Sequence, residues 1–218
     1  MPDGLPNFRR QLSLARMKKS FANLFIVTIA AASLGGFIPA AFSQTTADAA
    51  AKLVDAAKAS SDSQLGGIAS ELTGKVESLG TAAAGNAAIM GKLNSTLSSL
   101  AGGQDSAALA SAFKLASAAK LTPEQLGLAK QVGNLASAYV VQKNFATLDG
   151  SQGDVATIVS SLRAGKIKDA VPSLKNVATS AKLTDTQKQL ITTITDKYVP
   201  GFSKASGAVN EIKKIPGF

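Results

Sequence analysis

The sequence predicts an all-α protein, either a multi-helix bundle or a short helical-repeat array built from a duplicated three-helix unit of about 62 residues. Three observations carry this. First, residues 91–137 align without a gap to residues 153–199, with 14 identities in 47 positions. Eleven of these do not involve alanine, whereas roughly four or five chance matches are expected in so Ala/Ser-rich a chain. Second, alanine, leucine, lysine and glutamine are abundant and enter helices at little cost, while alternating β-branched runs are scarce. Third, Leu121-Thr122-Pro123-Glu124-Gln125 and Leu183-Thr184-Asp185-Thr186-Gln187 both have the form of a helix start.

From the N-terminus, residues 1–43 read as an export signal. Arg9, Arg10, Arg16, Lys18 and Lys19 precede an apolar run from Phe21 to Ile38, and Pro39 ends that run. Ala41-Phe42-Ser43 places small residues where a signal peptidase inspects the chain, so cleavage is expected after Ser43, with Met17 as the true start. The contrasting reading is a retained anchor, which the roughly 18-residue run barely reaches in length. Residues 44–218 are then expected to form one all-helical domain with no further membrane span.

Within that domain, Ala47–Ser60 carries alanines and Val54 at helical spacing, and Gln64–Leu79 repeats Leu65, Ile68, Leu72, Val76 and Leu79 every three or four residues. Gly66, Gly67 and Gly74 weaken the second pattern. Each repeat then reads as three helices. The first spans 93–100 and 155–162 and stops at Gly103 and Gly165, where glycine favours a helix end. The second covers 106–119 and 168–181, with Pro172 close enough to its start for the missing N–H to be harmless. The third opens at Thr122 and Thr184, each threonine accepting from the amide of the glutamine three residues on, which in turn reaches back. The remaining segment, through Phe202, Val209 and Ile212, reads as a final helix and a loose end, with Phe202 and Ile212 packing on the bundle.

Charge and composition narrow the function. Removing residues 1–43 takes away five basic residues and Asp3 from a chain of net charge +9, leaving 18 basic against 13 acidic residues and a net +5. The cations are dispersed, with Arg163 the single arginine after residue 43, which excludes the clustered basic face of a nucleic-acid binder. The chain has no cysteine, histidine or tryptophan. Disulfides, a lipid-attachment cysteine, Cys–His or Ser–His–Asp nucleophile systems and structural zinc sites are thereby excluded. Export and this composition indicate a periplasmic or extracellular location.

No residue is assigned a catalytic, cofactor-binding or metal-binding role, and no cofactor is expected. The Asp149–Asp154 loop lacks the alternating Asp/Asn pattern and closing glutamate of a calcium loop. Gly102-Gly103 and Gly150–Gly153 lack the strand–loop–helix setting of a phosphate loop. Ser98-Ser99-Leu100 and Ser160-Ser161-Leu162 have no base nearby in sequence.

The two Leu-Thr-x-x-Gln segments resemble the signature carried twice by the Spy/CpxP family of periplasmic helical chaperones. The resemblance implies binding of unfolded proteins on a basic, partly apolar concave surface. It covers these two five-residue segments, and the long, strongly charged helices of that family are absent. The sequence therefore points to a non-enzymatic envelope protein acting through a protein partner or self-association. A peripheral binder of membranes or other apolar surfaces is the alternative.

Overall fold

A computed structural model describes residues 40–204, apart from Ser61 and Ala119. Among the described residues the chain is all-helical, with no strand. The elements are α1 (Ala40–Ala59), α2 (Ser63–Ala82), α3 (Ala87–Ala101), α4 (Asp105–Leu115), α5 (Pro123–Phe145), α6 (Gln152–Arg163), α7 (Ile167–Ala178) and α8 (Asp185–Tyr198). The expected export signal lies outside the described residues except for positions 40–43, where α1 begins and runs on past the expected cleavage point. None of the helices among the described residues is long and apolar enough to cross a membrane.

Local chemistry sets the helix ends. Asp62 caps α2 by accepting from the Gln64 amide at 2.9 Å, and Asn86 caps α3 by accepting from Ile89 at 3.2 Å. The two expected capping boxes are present: Thr122 Oγ1 accepts from the Gln125 amide and Thr184 Oγ1 from the Gln187 amide, each at 3.2 Å. α3 and α6 end in matching left-handed stops, with Gly103 at φ 74° and Gly165 at φ 70°. In one, the Gln104 amide reaches Ser99 O at 2.7 Å; in the other, the Lys166 amide reaches Ser161 O at 2.8 Å. That six-residue closure is a Schellman motif, and glycine supplies the positive φ without a Cβ clash.

These landmarks share one spacing. The starts of α4 and α7, the starts of α5 and α8, and the ends of α3 and α6 each lie 62 residues apart. The spacing extends to one long-range contact. Gln125 Nε2 donates to Ala82 O at 2.6 Å, and Gln187 Nε2 donates to Asn144 O at 2.7 Å. Each capping glutamine thus also ties its helix to the C-terminal end of the helix three places earlier.

The core gathers around α5, which packs against α2, α4, α6 and α8. Residues 135–142 are buried without interruption, so this stretch of the helix is covered on all its faces. Gly133, Ala136, Ser137 and Ala138 keep the neighbouring helices close, while Tyr139, Val140, Val141 and Phe145 supply apolar bulk. α1 covers α2 and α3, contributing Leu53 and a narrow strip of Ala49, Ala50 and Ala57.

The structure departs from the sequence reading in four places. The first helix of the first unit starts at Ala87, because Asn86 caps it, rather than near Leu93. The second helices end at Leu115 and Ala178, earlier than expected. Leu128 is only partly covered although its counterpart Leu190 is buried. Pro172 stands in the interior of α7, five residues after its start at Ile167. It therefore removes an amide that would otherwise bond the Lys168 carbonyl, and both residues are exposed, so that acceptor is open to solvent. Phe202 is half-buried in a short helical turn at 202–204, while Val209 and Ile212 lie outside the described residues.

Polar pins hold the C-terminal end of α5. Asp105, 7% exposed, accepts from Lys143 Nζ at 3.0 and 3.1 Å and from Asn144 Nδ2 at 2.9 Å. Buried Gln142 donates to Asp62 Oδ2 at 2.5 Å, so Asp62 caps α2 and anchors α5 together.

Pro172→Ala is expected to raise stability by about 1–2 kcal/mol, part of the helix-interior proline penalty, as a higher urea midpoint at unchanged m. Lys143→Met should cost about 2–3 kcal/mol in the same assay, because Asp105 loses its counter-charge while keeping Asn144. Adding Asp105→Ile, which installs the residue type found at Ile167, should restore most of that loss.

Candidate functional site

Two surface hollows among the described residues follow from which faces of α2 the core leaves uncovered. Leu65, Ile68, Leu72, Val76 and Leu79 turn inward, so Gly66, Ser70, Gly74 and Ser78, spaced four apart, form an outer row. Beside the lower part of that row run Gln131 and Asn134 of α5 and the end of α6. Together they enclose a trough of about 480 Å³ between Ser70, Lys75, Gln131, Asn134, Leu135 and the Arg163–Gly165 segment. A second hollow of about 660 Å³ shares Gly74 and Ser78 with it and continues past Glu77 and Thr81 to Thr122, Glu124 and Gln125.

The trough has a mixed polar and apolar lining, with defined hydrogen-bonding capacity. Arg163 closes one end: its Nε donates to Glu71 Oε2 at 3.0 Å and its Nη2 to Oε1, bridging α6 to α2. That hydrogen bond holds the guanidinium above its ordinary pKa. Both partners are exposed, so the pair contributes about 0–1 kcal/mol to stability. Ser70 and Ser78 donate to the carbonyls of Gly66 (2.9 Å) and Gly74 (2.8 Å), leaving their oxygens to act outward as acceptors. Among the described residues, Lys75, Glu77, Glu124 and Gln131 have no side-chain hydrogen bond or ion pair. A Cβ placed on Gly74 would meet nothing within 4 Å.

Beneath the trough, Asn134 Oδ1 accepts from Tyr198 Oη at 3.0 Å, which links the trough wall to α8. Tyr198 also lies 3.2 Å from Ser137 Oγ and edge-on to Phe113, the ring centroids 6.2 Å apart. Burial pushes the Tyr198 phenol up to about 12, the Ser137 contact acting in the opposite direction. Tyr139 is raised too, by burial first and by the Asp105 charge second.

The segments singled out in the sequence take the following places in the fold. The 149–154 loop is a helix connection with Gly150 at φ 78°, and Asp154 is 3.4 Å from Asn176 Nδ2. Ser99 and Ser161 are buried, and their carbonyls close the two helix stops. Among the described residues no group of three or more carboxylates is placed to hold a metal ion. The trough itself was missed because its walls come from three helices far apart in sequence. The available signal was the glycine and serine row on α2, which read as weakness in a helix.

The raised phenol of Tyr198 has a pH consequence. Its folded-state pKa lies above the unfolded value of 10.0, so its neutral form adds stability below pH 10 that is lost as pH rises toward about 12. Between pH 10 and 12 the wild type should lose on the order of 1–2 kcal/mol more than Tyr198→Phe in urea unfolding. Equal losses would remove this assignment. Comparison of the chain with protein-family models, with curated proteins and with solved structures returned no match, so the Spy/CpxP resemblance rests on the two helix starts alone.

Proposed function

We propose that this chain is an exported, non-enzymatic helical protein of the cell envelope that works by holding a protein partner or a second copy of itself. The observation that carries the reading is the set of uncommitted polar groups (Lys75, Glu77, Glu124 and Gln131) presented around an open trough by helices packed into one core. Their backbones are held by packed helices, while the side chains themselves remain free to pair with an incoming partner. An open hollow is a poor place for chemistry that needs water excluded. The basic and apolar opening of the sequence, with small residues ahead of Gln44, supports export.

The common 62-residue spacing is read as a duplication, in which α3–α5 and α6–α8 descend from one three-helix unit. It is supported by the paired glycine stops, the paired capping boxes and the paired glutamine-to-carbonyl bonds. Repeat units commonly present a continuous face to a partner.

Expression in a bacterial host with the leader intact should yield exported protein whose N-terminal sequence begins at Gln44. Light scattering after size exclusion should then give a mass above that of one chain, or a pull-down from envelope extract should retain a protein at near-stoichiometric amount. A strict monomer with no retained protein would refute the interaction reading.

A further inference from the structure

We infer that removal of the leader creates a modification site at Gln44, where the new N-terminal glutamine closes into a pyroglutamyl ring that seals α1. The inference rests on the export reading above and on its cleavage point after Ser43. In the whole chain α1 runs from Ala40 to Ala59, so the Ser43–Gln44 bond lies within its opening turns. Cutting there leaves a shorter helix that starts at the new chain end. Helix amides point toward that end, and their aligned dipoles concentrate positive charge on it. A free α-ammonium at the same place adds a like charge. Asp48, four residues on, is the nearest acid in sequence, and it is exposed, so solvent screens much of what it offsets.

Gln44 itself carries the group that removes this charge. Its side chain is exposed, and among the described residues no hydrogen bond or ion pair holds the carboxamide away from the backbone nitrogen. The α-nitrogen, as the free amine, attacks Cδ and forms an N–Cδ bond. The Cδ–Nε2 bond breaks, and ammonia leaves with the proton that the α-nitrogen gives up. No oxidant or second reactant is needed. Every atom of the five-membered ring belongs to Gln44, so closure leaves the backbone of α1 in place. The docked part of the helix begins two residues later, where Thr46, Ala49, Ala50, Leu53 and Ala57 are buried. That seam is mostly alanine and buries little apolar area, so a misplaced charge weighs more on α1 than on a leucine-rich helix. The lactam is neutral and has no α-amine for an aminopeptidase to grip. Stepwise trimming toward the docked face is thereby blocked at its first residue.

The test expresses the full chain with its leader in a bacterial host and dimethylates the free amines of the exported protein. Chymotryptic digestion then releases the N-terminal peptide ending at Leu53 for mass spectrometry. The labelled fraction at Gln44 should fall on incubation at neutral pH. An unlabelled peptide, lighter than Gln44–Leu53 by one ammonia, should rise in step. Gln44→Asn, whose shorter side chain would need a four-membered ring, should keep a labelled α-amine throughout. Hydrogen exchange across residues 47–59 should be about two- to five-fold slower in the cyclised protein than in the fresh one, with α5 unchanged. A label that persists on wild-type Gln44, or equal exchange in the two forms, would overturn the sealing of α1 and leave export standing. A chain that starts at another residue, or that keeps its leader, would overturn the cleavage assignment and this inference with it. The interaction reading is untouched by either result.

Discussion

The burial of the 135–142 stretch of α5 on every side is the constraint on which the rest of the bundle depends. A helix whose residues 135–142 are all covered has no solvent face to orient it, so its neighbours must supply direction and register. α2, α4, α6 and α8 each claim a separate face, which is possible because Gly133, Ala136, Ser137 and Ala138 allow close approach where larger residues would hold the helices apart. Phe145 then fills the space at the end of α5, beyond the small residues.

Apolar contact alone would leave such a helix free to slide, and polar contacts remove that freedom. The Asp105 carboxylate fixes Lys143 and Asn144, Asp62 fixes Gln142, and Tyr198 reaches Asn134. Each is made by a group that loses water on folding, so a shifted register would strand it unpaired. The pins sit on α2, α4 and α8, three of the four helices that enclose α5. They specify one arrangement among several that would bury similar apolar area.

What was legible in the sequence was local. The Thr–Gln boxes and the Gly103 and Gly165 stops are set within a few residues of chain, and they stand where the spacing placed them. The order of helices and the all-α class follow from those marks. Three features were not legible because their causes are distant. The central position of α5 is hidden because Ala138-Tyr139-Val140-Val141 has no periodicity to reveal a face. Pro172 read as an early-turn residue until the start of α7 at Ile167 placed it inside. The candidate trough depends on α2, α5 and α6 meeting, and its pairing of Glu71 with Arg163 spans 92 residues of chain.

The bond from each capping glutamine to the carbonyl of an earlier helix also bears on how the molecule comes apart. Gln125 reaches back to Ala82, and Gln187 reaches back to Asn144 at the end of α5 itself. α5 is therefore the last of the four helices spanned by the first bond and the first of the four spanned by the second. A stack of self-contained units frays from its ends, each unit melting on its own. Two spans of helices, α2–α5 and α5–α8, that own α5 in common lack that route: neither can lose α5 without dismantling the other, so they should unfold as one cooperative body.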